Sequence, residues 1–308
     1  MITEFVITRG EQRKRLDIFL VHREPEVSRS RLQRLIQLGR IRVNNLMVKP
    51  SFQVKPGDRI TLDTPKPGSV LVKGEVTQLD ILHEDEAMLV INKPPGVVMH
   101  PTAGMWSGTI LNGVLDYFQV TTQKGCSPGI VHRLDQDTSG VVVVAKNLDA
   151  HRSLAKQFAQ HSITRQYQAL VWNVPTSNDG VIHLAIGRDA HDSTRHSPDT
   201  TRPRTAITEY HMIKRWANVA AYLNLVPRTG RTHQLRVHLA SHGLPILGDR
   251  WYGKGTTGEI ADRAIPRMML HARSLGFQHP NSGDYHEYTI ECPPDMQALT
   301  QHLQQTLR

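Results

Sequence analysis

His132-Arg133-Leu134-Asp135-Gln136-Asp137-Thr138-Ser139-Gly140, followed at once by Val141-Val142-Val143-Val144, is the stretch on which the fold turns. A Val-rich run of this length predicts a buried strand, with the polar residues before it held in a loop at the strand's edge. Two carboxylates and an arginine are crowded into that loop. Packing gains nothing from them, and each ion carries a desolvation cost unless it is paired or used. A site built at a strand entrance has this pattern. Taken alone, D-x-D-T-S-G also fits an ordinary strand-entry loop whose Asp residues cap and turn the backbone, so the rest of the chain must decide.

A chain of 308 residues, 39% of them hydrophobic, suits one large domain plus a small one. Apolar runs such as 141–145 fall far short of the roughly 20 residues of a membrane span. The N-terminus turns charged too soon for a secretory signal. The expectation is a cytoplasmic protein without membrane association, and a monomer, since no heptad or apolar stripe stands out. Cys126 and Cys292 are the only cysteines and form no C-x-x-C pair, so neither a disulfide framework nor a zinc–thiolate site is supported. The net charge of +9 favours a polyanionic partner such as nucleic acid. Residues 1–65 hold thirteen Lys or Arg against seven Asp or Glu, so the basic character concentrates at the N-terminus.

That front segment reads as a small module. Ser28 to Gly39 has a capping Ser, apolar residues at 32, 35, 36 and 38, and a Gly stop, which predicts a short amphipathic helix. Arg29, Arg31 and Arg34 fall on its exposed side, Arg40 and Arg42 follow, and no acid occurs from 28 to 42. Ile41 and Val43, a turn at Asn44-Asn45, then Leu46 and Val48 predict a tight hairpin. Lys55-Pro56-Gly57-Asp58 is a further turn before a strand at Ile60 and Leu62. Such an arginine face can lie along phosphates, each contact releasing counterions; the plainer reading is a solvated basic surface. The series R-L-D-x-F-L at 15–20, S-R-S-R-L at 28–32, G-R-I-R-V-N-N at 39–45 and K-P-G-D at 55–58 resembles the S4 RNA-binding domain. The module is assigned to 1–63, and the Pro- and Gly-bearing residues 64–78 to a linker.

From residue 79 to 308, apolar alternation and short helices mix without a β-α-β rhythm, which predicts an α+β domain with a mainly antiparallel or mixed sheet. The polar stretch 188–205 reads as a floppy hairpin more readily than as an RNA-contacting loop. Arg165 to Trp172 is a strand by alternation, with Tyr167, Ala169 and Val171 on one face; a Tyr there is most often a core residue. Arg228-Thr229-Gly230-Arg231-Thr232-His233-Gln234-Leu235-Arg236-Val237-His238 is a Gly-bearing turn entering a helix that ends near Gly243. His238 and His242 lie four apart, but no H-E-x-x-H Glu and no third ligand accompany them, so no metal is expected.

These patches, with Leu79–Asp85, Val90-Ile91-Asn92-Lys93-Pro94-Pro95-Gly96, His100-Pro101, Ile163–Ala169, Pro245-Ile246-Leu247-Gly248-Asp249 and Leu270-His271-Ala272, resemble the RluA-type RNA pseudouridine synthases, closest to the RluD subgroup. The resemblance implies a pseudouridine synthase catalytic domain behind an S4-like α/β domain, and isomerisation of uridine in RNA without cofactor or metal. It implies Asp135 as the catalytic carboxylate, Tyr167 as the active-site aromatic and Arg231 as the guanidinium that keeps Asp135 ionised. His132, Arg133 and Arg236 are assigned to RNA contacts, and Asp137 and Thr138 to fixing the loop. The nucleotide must be flipped out of its stack to reach the site. Large-subunit (23S) ribosomal RNA is the favoured partner, with transfer RNA as the alternative. Two rival readings stand beside this one: a glycosidase using Asp135 and Asp137 as its carboxylate pair, and a non-catalytic RNA-binding ribosome-assembly factor.

Overall fold

The computed structural model describes residues 2–10, 14–24, 29–63, 78–101, 107–118, 129–192, 194–253 and 265–307; within the helix at 29–37 the side chains of Ser30, Arg31 and Arg34 are outside that description. The expected cap Ser28, the arginine side chains at 31 and 34, Cys126 and the linker at 64–77 therefore lie outside the described residues. The chain divides into two units, Met1–Leu71 and Val72–Arg308.

In the first unit, β1 (Ile2–Val6), α1 (Leu16–Arg23), α2 (Arg29–Gln37), β2 (Ile41–Val43), β3 (Leu46–Met47) and β4 (Arg59–Asp63) form an antiparallel sheet of order β1-β4-β2-β3 with two helices. The apolar positions of α2 and the strands meet as one core, with Leu16, Leu20, Leu32, Ile36, Ile41, Ile60 and Leu62 fully buried. Asn44 and Asn45 both take positive φ, 52° and 65°, the left-handed pair that a two-residue hairpin needs to match strand twist. One expectation fails here. Two of the five arginines are balanced by acids brought from elsewhere in the fold. Arg29 pairs with the buried Asp17 of α1 at 2.9 Å, and Arg40 pairs with Asp63 of β4 at 2.7 Å. Burial opposes the Asp17 charge, but hydrogen bonds from Arg15, Gln33 and Arg29 outweigh it and hold the carboxyl well below the usual range.

The second unit contains, in order, β5 (Asp80–Glu84), β6 (Met88–Lys93), α3 (Ile110–Tyr117), β7 (Gly129–Ile130), β8 (Ser139–Ala145), α4 (Leu148–Gln160), β9 (Thr164–Trp172), β10 (Asp179–His183), β11 (Gly187–Arg188), β12 (His196–Ser197), β13 (Ile207–Trp216), β14 (Ala220–Pro227), α5 (Gln234–Ser241), β15 (Leu270–Gln278), β16 (Tyr285–Thr289) and α6 (Pro294–Thr306). The main sheet runs β10-β13-β14-β9-β15-β8-β6-β5, with β16 beside β15 and β7 beside β8. Among the described pairs only β8 and β15 are parallel, giving the expected α+β unit with a mainly antiparallel sheet. The valine run is the reason β8 lies inside. Val141 and Val143 pack with Ala150 and Leu154 of α4, while Val142 and Val144 pack with Ile110 and Val114 of α3. A period of two sends alternate side chains to opposite faces, so a strand covered on both must be apolar throughout.

The stretch 188–205 is not the floppy hairpin its composition suggests. β11 pairs with β12, Ile186 bridges Arg204, and the Asp189 carboxylate accepts the N–H groups of His191 and Asp192 at 2.9 and 2.8 Å. Its polar residues cap its own turns, which a composition count cannot distinguish from solvation.

The loop that enters β8 is held from beneath by Lys93, the last residue of β6 and fully buried. Its ammonium donates to the carbonyls of Pro94, Val97 and Gln136 at 2.8, 2.7 and 2.9 Å. Burial pushes the Lys93 pKa down to about 7, against the pull of the Asp137 and Asp135 charges. Gly140 sits where β8 meets β15, at φ 127°, and a Cβ there would strike the Ala272 carbonyl.

Gly140→Ala is expected to lower unfolding stability by at least about 2 kcal/mol in urea melts, from backbone strain plus that clash. Lys93→Met removes the ammonium donor from the Pro94 and Val97 carbonyls and leaves Gln136 with only the Gly96 N–H, and the same measurement should register a loss of about 2 kcal/mol.

Candidate active site

Four segments that pack into the second unit converge on one cavity of about 270 Å³: residues 131–138, the end of α4 with β9, the turn 227–236, and Leu270. Asp135, Tyr167 and Arg231, named from the sequence as catalytic, all line it, as do His132, Arg133 and Arg236. The loop that presents Asp135 is set largely by backbone. Thr138 N–H donates to the Asp135 carbonyl at 3.2 Å, and Gly96 and Gln136 bond reciprocally at 2.9 and 3.0 Å. Arg267, forked on Asp295 at 2.6 and 3.0 Å, gives Nη1 to the Asp137 carbonyl at 3.2 Å. The Asp137 carbonyl thus carries the contact expected of its carboxylate. Asp137 is exposed and does not line the cavity, which leaves the two-carboxylate glycosidase arrangement without its second group.

The Asp135 carboxylate is 18% exposed, and Arg236 Nη1 reaches its Oδ2 at 3.1 Å. The same guanidinium grips the fully buried Asp249 through Nε and Nη2 at 2.7 and 2.9 Å. Burial would lower the Arg236 pKa, but Asp249 and Asp135 overcome it and raise the value. The guanidinium also lies over the rings of Tyr252 and Trp251, 4.9 and 5.4 Å from their centroids, where cation–π attraction adds to its fixation.

Two assignments change as a result. Arg236, expected to bind RNA, is buried and committed to two carboxylates. Arg231, expected to hold Asp135, lines the cavity but turns Nε to the Thr205 carbonyl at 3.2 Å. The reason is phase: Arg231 lies in the turn before α5, whereas Arg236 lies in its first turn on the inward face. His132 is a third correction. Its Nε2 accepts the Val143 N–H at 3.0 Å, its ring stacks on Phe158 at 4.5 Å, and burial with Arg165 nearby lowers its pKa to about 3. A neutral ring used by the backbone does not grip phosphate.

Tyr167 is the aromatic wall. Burial raises its phenol pKa, opposed by Arg165 and reinforced by Asp135, so it stays protonated. Arg133, Arg165 and Arg231 line the same cavity with no carboxylate partner among the described residues. His238 is buried on the Leu184 carbonyl at 2.9 Å, and the His242 ring faces Tyr210; among the described residues no His, Cys, Asp and Glu group could hold a metal. Sequence reading missed Lys93, Arg267, Tyr252 and Asp249 as supports of the site, although Lys93 and Asp249 fall inside blocks the sequence singled out.

Residues 87–241 match the family model for RNA pseudouridylate synthase, and residues 14–60 match the S4 domain. The RNA pseudouridine synthase YlyB of Bacillus subtilis is 40% identical, covering 96% of this chain and 97% of its own. The ribosomal large subunit pseudouridine synthase D of Zymomonas mobilis is 40% identical over 92% of each chain. Among solved structures, human RNA pseudouridylate synthase domain containing 1 aligns with a TM-score of 0.59 at 26% identity, covering 75% of this chain and 96% of that one. With a carboxylate–guanidinium pair in a nucleoside-sized cavity and these matches along nearly its whole length, the chain belongs to the RNA pseudouridine synthase family and carries an S4 domain at its N-terminus.

Proposed function

We propose that this enzyme isomerises uridines of structured 23S ribosomal RNA, with Asp135 as the catalytic carboxylate and no cofactor. The observation that carries the reading is the Asp135–Arg236 pair at 3.1 Å inside the cavity walled by Tyr167. The reaction breaks N1–C1′, turns the base and joins C5 to C1′, releasing the C5 proton while a proton is regained at N1. It needs a carboxylate that adds to, or stabilises charge on, the nucleoside and then leaves. Oδ2 is held by Arg236, so Oδ1 is the oxygen open to the substrate. Tyr167 supplies a face for the uracil ring. Such a cavity admits a nucleotide only out of its stack, so the target is flipped, at about a few kcal/mol.

Arg133, Arg165 and Arg231 meet the flanking phosphates, and in the S4 domain Arg31, Arg34 and Arg42 add counterion-releasing contacts, with smaller ones from Arg29 and Arg40, which already face Asp17 and Asp63. The ribosomal substrate is supported by the names of relatives such as the Zymomonas mobilis enzyme, and such a substrate fits a cytoplasmic enzyme. The site is built from one chain, which a monomer satisfies.

Tritium release from C5-labelled uridine in a 23S transcript tests the chemistry. Asp135→Asn should lose at least about 1000-fold in rate while still binding RNA; full retention would favour a binding factor. Arg236→Lys, which cannot fork between two acids, should lose about 100-fold, against a few-fold for Arg231→Lys. Carbodiimide mapping of total RNA from cells with and without the gene tests the substrate: loss of signal from 23S RNA is expected, and loss from transfer RNA alone rejects it.

A further inference from the structure

Tyr252 stands behind the Asp135–Arg236 pair and ties together separate stretches of chain. Its hydroxyl accepts the backbone N–H of His196 on β12 at 3.0 Å and lies 2.8 Å from Nδ1 of His233. Counting hydrogens favours one direction. A backbone N–H only donates, so the phenol oxygen accepts from His196 and has one hydrogen of its own to give. Among the described residues the acceptor it meets is His233 Nδ1. A neutral imidazole that accepts at Nδ1 carries its proton on Nε2, and Nε2 is the atom that faces Asp135 Oδ2, at 3.9 Å.

The backbone supports the same reading independently. His233 has φ 55° at the N-cap of α5 and makes no side-chain cap. A left-handed conformation is uncommon outside glycine, and here it yields no capping bond in return. What it does is aim the ring between Tyr252 and Asp135. Strain of this kind persists where the surrounding structure uses it.

We propose that His233 is a positioning residue for the catalytic carboxylate, its Nε2–H tautomer fixed by Tyr252, so that Arg236 and His233 together steady Oδ2 and leave Oδ1 to the nucleotide. This rests on the reading of Asp135 as the catalytic group. The 3.9 Å separation closes with a small ring movement, as catalytic contacts commonly tighten when substrate arrives. A neutral N–H suits the task better than a second cation: it orients the oxygen without quenching a charge that Arg236 already shares with Asp249.

The groups facing the imidazole are Asp135, Arg236, His196, Asp249, Tyr252 and Trp251. Burial lowers its pKa, Asp135 and Asp249 pull upward, and Arg236 and His196 push down. The phenol hydrogen on Nδ1 further opposes protonation, because an added proton there would displace it. Losing that hydrogen raises the His233 pKa and moves the acid limb of the rate profile to higher pH.

Two measurements on the full-length enzyme test this, with a 23S transcript tritiated at uridine C5 as the probe. Nitrogen-15 spectra of histidine-labelled wild type should show His233 as the Nε2–H tautomer. Tyr252→Phe, which keeps the ring under Arg236, should lower kcat about tenfold with KM unchanged and shift the acid limb upward. An Nδ1–H tautomer in wild type overturns the proposal, as does a Tyr252→Phe enzyme with unaltered kcat and pH profile or with a loss confined to KM. Should that variant fail to fold, the wild-type tautomer decides alone. Asp135→Asn in parallel separates the two readings: if it keeps turnover, Asp135 is not catalytic, whereas an inactive Asp135→Asn beside an unaffected Tyr252→Phe removes only the role of His233.

Discussion

One guanidinium shared between two carboxylates is the constraint around which the catalytic unit is built. Asp249 is fully buried and Asp135 partly so, and taking a carboxylate fully out of water costs several kcal/mol. Arg236 offsets that cost because its planar fork meets Asp249 with two parallel bonds and still has Nη1 free for Asp135. The deeper acid therefore fixes the arginine, and the arginine fixes the shallower one. Two carboxylates share one guanidinium, so the Asp135 carboxylate is oriented by Arg236 without having that cation to itself.

The sheet topology explains how such distant residues meet. β8 and β15 are parallel, so both start at the same edge, and the loops that lead into them lie side by side. Asp135 comes in on one loop and Arg267 on the other, close enough for Arg267 to hold the Asp137 carbonyl. β6 runs antiparallel to β8 and ends where β8 begins, which delivers Lys93 under the same loop. A wholly antiparallel arrangement would send the second loop to the opposite edge. Gly140 is the close approach that allows this pairing.

What the sequence made legible was local or periodic: the doubly buried valine strand, the Asn-Asn hairpin, the strand carrying Tyr167 and the polar loop with Asp135. What it hid depended on partners far along the chain. Arg231 and Arg236 are equally basic in the text, and only the phase of α5 against the sheet decides which points at Asp135. His132 reads as a polar residue of the motif, yet its ring is consumed by the Val143 N–H and Phe158. The acid-free run 28–42 is acid-free only in sequence, since Asp17 and Asp63 are folded against it. The stretch 188–205 looked loose because side chains that cap turns are the same types that favour solvent.

That last pair of errors bears on how a basic protein meets RNA. Net charge measures how many cations a chain holds, not how many are available. In the S4 domain Arg29 and Arg40 are already paired with acids, so a phosphate arriving there must compete with Asp17 and Asp63, and the gain per contact is small. Around the cavity, Arg133, Arg165 and Arg231 have no carboxylate partner among the described residues, and a phosphate there would compete with no anion, only with solvent, counterions and the single carbonyl contacts of Arg165 and Arg231. On the proposed mechanism, binding energy released beside the cavity can offset the unstacking of a flipped nucleotide. Energy released by contacts that do not border the cavity holds the RNA but does less for that step.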